Sequence, residues 1–194
     1  MVIARESLLS LEEYARQRAT FRARVLEHKN TRKLQLGPNL RLTFEDELTI
    51  RYQIQEMLRI ERTFEEAGIL DELETYLPLV PGSADWKATM MLEYPDPEAR
   101  KHWLARLKGV EDRVWVQVAA LEAVYAIADE DMERENETKT SAVHFLRFPL
   151  SQAMVVALRV GADLSMGVDH PEYQHRLEPV PDAVRCSLCE DLRP

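Results

Sequence analysis

The run from Phe44 to Ala67, FEDELTIRYQIQEMLRIERTFEEA, constrains the fold more than any other stretch of the chain. It reads as one long, mostly buried helix. Thr43 stands at the N-cap, Glu45, Asp46 and Glu47 fill the first turn where the helix dipole favours negative charge, and Gly68 closes the C-terminal end. At ~1.5 Å per residue the rod is roughly 36 Å long, enough to cross a small domain. Plotted at about 100° per residue, Ile50, Ile54, Met57, Leu58, Ile60 and Phe64 form an apolar arc wider than a surface helix needs. Glu61 falls inside it, so it either leans to the edge to pair with an arginine or is a buried carboxylate, which must be paired or coordinated. The opposite side carries Arg51, Gln55, Arg59 and Arg62 with Tyr52 and Glu56 beside them. Long hydrogen-bonding side chains of this kind suit a polar network or a partner better than open solvent.

A chain of 194 residues is long enough for one domain with a real core, or a domain plus an arm. The net charge of −9 argues against general nucleic-acid binding. That charge is uneven. Residues 1–33 hold eight Lys/Arg against four acids, a net of +4, so the remainder carries −13. A basic arm on an acidic body docks on that body or on a neighbouring subunit; a phosphate-binding arm is the less economical reading, because no aromatic or Gly-rich motif accompanies it. No apolar run is long enough to cross a membrane and MVIARESLL lacks a signal peptide's apolar region, so the expectation is a cytoplasmic protein with no membrane partner.

Taken in order, Ser10-Leu11-Glu12-Glu13 is a capping box that starts a helix to about Glu27, with a narrow stripe of Leu11, Tyr14, Phe21 and Val25. Arg32 to Leu42 reads as a β-hairpin around Gly37-Pro38-Asn39. After Gly68 a shorter helix, ILDELETYL, ends at Pro78. Strands are expected at Lys87–Tyr94, Arg113–Val118, Ser141–Phe148 and Ala162–Val168, and Ala123–Ala128 is expected to return as the hairpin partner of the second. Helices are expected from Asp96 to Gly109, from Pro149 to Leu158 and beyond Pro181. The acid run from Asp129 to Glu137, with Arg134 inside it, lacks the glycine and ligand spacing of an EF-hand and reads as a solvated turn. The order predicts an α+β fold: residues 1–31 a basic helical arm, residues 32–194 one domain in which the long helix packs on a mostly antiparallel sheet.

TIRYQIQEMLRIER, preceded by LGP and followed far downstream by HFLRF and VDHPEY, resembles the bacterial family known as domain of unknown function 3501, from about Arg32 to the C-terminal end. The resemblance implies a single-domain bacterial protein with no assigned activity. It also implies a gene neighbourhood of rubrerythrin-like and iron–sulfur proteins, hence a redox or peroxide-stress setting. No functional residue carries over from it.

The residues themselves offer several candidates. Cys186 and Cys189 form a single CxxC, half of a zinc site or a redox pair; four zinc ligands would need a second subunit or His175, and incidental thiols are the simpler reading. His144 sits on a central strand, on the face opposite Arg147, and His170 at a strand-end turn before Pro171; both positions suit structural histidines as well as catalytic ones. No HExxH, di-iron Glu-x-x-His, GxSxG, Walker or dinucleotide fingerprint is present. Arg51, Arg59, Arg62 and Arg147 form an anion pocket or pair internally with Glu56 and Glu61. Three functional readings follow. The first is a homo-oligomeric binding or accessory protein with a protein partner, acting through the polar side of the long helix with Arg51, Gln55 and Arg62. The second is an enzyme joining Glu56, Arg59 and Glu61 with His144, Arg147 or His170, around a metal on Glu61 or on Cys186 and Cys189. The third is a structural oligomerisation module. The sequence names no cofactor.

Overall fold

The computed structural model describes residues 3–130, 134 and 138–192, and the fold is α+β. The chain divides into two compact units. One holds the described residues of Met1–Thr31 and Glu45–Pro81; the other holds those of Arg32–Phe44 and Gly82–Pro194.

The first unit is helical. A single 3-10 turn, Arg5–Ser7, precedes α1 (Leu11–His28), α2 (Glu47–Glu61) and α3 (Glu66–Tyr76). The Ser10 hydroxyl caps α1 by accepting from the Glu13 backbone N–H, as the capping box requires. The long helix is shorter than its sequence reading. Its N-cap is Asp46, in a reciprocal box with Thr49, because the residues up to Phe44 are drawn into a strand. It ends at Glu61, where Arg62 takes the left-handed conformation (φ 57°) and the Thr63 N–H bonds back to Leu58 O. Gly68 therefore lies inside α3 and is not the cap of α2. Ile60, still within the helix, and Phe64, beyond the break, are 60% and 71% exposed, so the buried apolar arc narrows to Ile50, Ile54 and Leu58. These three share a core with Ile3, Leu8, Ile69 and Leu73, so helical segments fill the buried side of α2.

The second unit carries two antiparallel sheets. The first has the order β1-β2-β3-β7-β6: β1 (Lys33–Leu36), β2 (Leu40–Phe44), β3 (Asp85–Leu92), β7 (Val143–Pro149) and β6 (Ile127–Ala128). The second has the order β5-β4-β8-β9: β5 (Val124–Tyr125), β4 (Val114–Val118), β8 (Leu164–His170) and β9 (Tyr173–Leu177). The expected return strand after β4 is split. Val124 and Tyr125 pair with β4, then Ile127 and Ala128 cross to β7, so the segment joins the two sheets. Strict alternation along β3 sends Trp86, Ala88, Met90 and Leu92 to the core. They meet Val114, Val116 and Val118 of β4, Leu164, Met166 and Val168 of β8, and the apolar faces of α4 (Pro97–Arg106), α5 (Gln152–Arg159) and α6 (Asp182–Cys189).

Tyr173 ties the β1–β2 turn to β9. Its hydroxyl donates to Leu36 O at 2.8 Å and accepts the N–H groups of Asn39 and Leu40 at 2.9 and 3.1 Å. Gly37 sits in this turn at φ +72°, and an added Cβ would lie 2.3 Å from the His175 ring. Replacing Tyr173 by phenylalanine strands these backbone groups. The expected loss is about 1–3 kcal/mol, read as a lower urea midpoint at constant slope. An unchanged midpoint would mean water replaces the hydroxyl at no cost.

Candidate functional site

The polar side of α2 is where the sequence candidates gather. Gln55 is 1% exposed, and its side chain binds the backbone of Leu9 in both directions, accepting from Leu9 N at 2.7 Å and donating to Leu9 O at 3.3 Å. That amide holds the N-terminal segment alongside the helix. One residue on, Glu56 accepts two bonds from Arg18, at 2.7 and 2.8 Å, one from the Tyr14 hydroxyl at 2.6 Å and a longer one from Arg59 at 3.4 Å. The Arg18 hydrogen bonds, with help from Tyr14 and Arg59, hold the Glu56 carboxyl down at about 2 despite burial acting the other way. Burial and the bond to Glu56 push the Tyr14 phenol up. Glu56 is thus an ion-paired anchor of α1 on α2, with Phe21 edge-on to both Tyr14 and Tyr52 to complete the joint.

What these anchors leave between the N-terminal segment, α1 and α2 is a groove of about 1050 Å³. Its lining takes apolar surface from Leu9, Phe21 and Leu48 and charge from Arg16, Arg24 and Arg51, with Glu6 and Glu47 as its acids. Arg51 also reaches Glu47 at 2.6 Å, one turn earlier on its own helix. Arg16 and Arg24 are exposed and stand two turns apart on α1, about 12 Å along the axis. Two of the three ligand-binding candidates, Arg51 and Gln55, thus lie on one groove, Arg51 as a wall and Gln55 as its support. Arg62, in the left-handed cap position, is not among the lining residues. Arg16 and Arg24 were not singled out from the sequence, although their eight-residue spacing around Phe21 was a visible signal.

The other candidates are dispersed. Glu61 is exposed on the last turn of α2, at the helix edge and not the buried carboxylate of its second reading; its charge acts with burial to push the Glu72 carboxyl up. Arg147 faces away from the core and pairs twice with Glu130, at 2.6 and 2.8 Å. His170 accepts from the Glu172 N–H through Nδ1 and donates from Nε2 to Lys108 O at 3.0 Å, which closes the turn between β8 and β9. Cys186 is exposed and Cys189 half-buried, both free thiols near the C-terminal end of α6. Burial raises the Cys189 thiol, the reverse of what a reactive thiolate needs.

His144 is different. It faces the core from β7 with no exposed surface, Nδ1 2.5 Å from Asp129 Oδ2, and Nε2 2.9 Å from Thr140 Oγ1 and 3.1 Å from Ser141 O. Glu111, in the 3-10 turn Val110–Arg113 and 6% exposed, approaches the same Nε2 to 3.8 Å. Neither Glu111 nor Thr140 had a signal in the sequence. Asp129 is the first of six acids in the run to Glu137, and residues 131–133 and 135–137 of that run lie outside the described residues.

Among the described residues no helix is long and apolar enough to cross a membrane. A family model described as "Protein of unknown function (DUF3501)" matches residues 2–192. The chain is also similar to a crystal structure of a novel protein of unknown function from Burkholderia pseudomallei K96243, at 52% identity and a TM-score of 0.94, with all of both chains covered. No match was found among proteins with curated descriptions.

Proposed function

Since this chain belongs to the DUF3501 family, whose description assigns no activity, we propose a role from its own surfaces: it is a binding protein that holds an acidic, amphipathic helix of a partner protein in the groove of its helical unit. The observation that carries this reading is a lining that combines apolar Leu9, Phe21 and Leu48 with arginines spaced two helical turns apart. At about 1050 Å³ the groove is at the upper end of small-molecule sites. An amphipathic helix fits that length, its apolar stripe against Leu9, Phe21 and Leu48 and carboxylates seven or eight residues apart against Arg16 and Arg24. Of the side chains read as catalytic candidates on α2, Glu56 holds α1 in place through Tyr14 and Arg18, with Arg59 beside it, and so shapes the groove. The redox setting that the family resemblance implies makes such a protein an accessory to a redox or iron–sulfur partner.

A labelled synthetic helix with a leucine face and glutamates at that spacing tests the reading by fluorescence anisotropy. Binding is expected to weaken with salt and to fall ~10-fold or more in Arg16→Glu/Arg24→Glu, whose exposed positions leave folding intact. Equal affinity for the charge-reversed protein would sink the proposal.

A further inference from the structure

We infer that Glu111, Thr140, Ser141 and His144 form a binding site for a divalent first-row transition metal ion, oriented by Asp129. The inference is independent of the groove, which lies in the other unit.

Three oxygens converge on one imidazole nitrogen. From His144 Nε2, Thr140 Oγ1 is at 2.9 Å, Ser141 O at 3.1 Å and Glu111 Oε2 at 3.8 Å, while Thr140 Oγ1 and Glu111 Oε2 are 3.2 Å apart. Ligands held at ~2.1 Å from one ion are separated by about 3.0–3.4 Å at octahedral or tetrahedral angles and by no more than ~4.2 Å. The four separations just given lie within the range of a coordination shell. A neutral imidazole carries one N–H, so at most one of its two nitrogens can donate, and here both are faced by oxygen. A proton on Nδ1 donates to Asp129 Oδ2, which fixes the tautomer and leaves the Nε2 lone pair directed at the three oxygens. This is the carboxylate–histidine–metal arrangement, in which the carboxylate sets the ring orientation and raises its basicity. Asp129 is itself held by the Phe145 N–H at 2.9 Å and by Arg134 Nε at 3.1 Å.

The site is enclosed, with His144 fully buried and Glu111 6% exposed. One nitrogen with a carboxylate, a hydroxyl and a carbonyl suits Mn²⁺, Fe²⁺ or Zn²⁺; the absence of sulfur disfavours a soft ion, and imidazole disfavours Ca²⁺. The competing state is metal-free, with the Thr140 hydroxyl donating to Nε2 or a second proton on His144 donated from Nε2 to the same oxygens.

Titration of the full-length, chelator-stripped protein with Co²⁺, followed by displacement with Zn²⁺ and by thermal melts, separates the two. The metal site predicts saturable visible d–d bands at one ion per chain, no thiolate charge-transfer band, a higher Tm with Zn²⁺, and an unchanged titration in Cys186→Ser/Cys189→Ser. In Glu111→Gln the affinity is expected to drop ~100-fold or more. Failure of the folded wild-type protein to bind Co²⁺ saturably overturns the inference, whatever the variants do. So does a thiolate band abolished by the double serine variant, or full affinity retained in Glu111→Gln.

Discussion

Replacing Asp191 by alanine is expected to destabilise the sheet-bearing unit by about 3–5 kcal/mol, because it leaves a buried cation without its carboxylate. Arg32 is 1% exposed. Its Nη2 and Nη1 reach the two oxygens of Asp191 at 2.5 and 3.3 Å, while Nε donates to Phe44 O at 3.1 Å and Nη1 to Ser187 O at 3.3 Å. An arginine cannot shed its proton to escape burial, so the cost falls on the folded state. At about 2–4 °C per kcal/mol the melting temperature should drop by ~10 °C or more. The double replacement Arg32→Met/Asp191→Leu removes both charges and is expected to regain most of the loss, since an apolar pair of similar volume is commonly as good as a buried ion pair. A deficit below ~1 kcal/mol in Asp191→Ala would show that other groups or water compensate Arg32 unaided.

The second large effect is on acid stability, and it belongs to Glu56. Its carboxyl titrates at about 2 when folded and near 4.5 in the unfolded chain, so the unfolded state takes up the proton first as pH falls. The stabilisation is fully present above pH ~4.5 and is lost between there and pH ~2. The shift is worth roughly 2 kcal/mol once reduced for the screening of Arg18, which is 34% exposed. Glu56→Gln should therefore lower stability at neutral pH by about that amount and show a flatter acid limb. Urea titrations of both proteins at pH 7 and pH 3 check this. Two curves running parallel through that range would exclude Glu56 as the source.

Local signals were the ones the sequence carried well. The Ser10 cap, the Asp96 cap with Pro97 behind it, the hairpin around Gly37 and the strands β3 and β7 all appear where their residue types demand, because each rests on neighbours a few positions apart. The long helix is shorter than its residues suggest at both ends, for a different reason at each. Thr43 and Phe44 have helix-compatible neighbours on one side but pair across to β3, and Arg62 adopts a conformation that nothing in its own side chain requests. Tertiary pairing overrode local propensity in the first case and a backbone-satisfied cap did so in the second. Glu61, the last residue of α2, lies at its exposed edge.

The candidate sites divide along the same line. Arg51, Gln55, Glu56 and Arg59 could be singled out on one helix because a 3.6-residue period places them together without knowledge of the fold. That period says nothing of which element covers them, so the Leu9 backbone, Arg18 and Tyr14 became visible only as partners. The His144 centre shows the limit from the other side. Thr140 and Ser141 are its near neighbours in sequence, but Asp129 and Glu111 are 15 and 33 residues away, on a strand end and a 3-10 turn with no motif to link them. Fold class, caps and strand alternation were set by residue type and spacing, which are properties of the chain. Which carboxylates meet His144, and what fills the polar side of α2, were decided by the packing of distant segments, where burial makes the match of charge and hydrogen bonds obligatory.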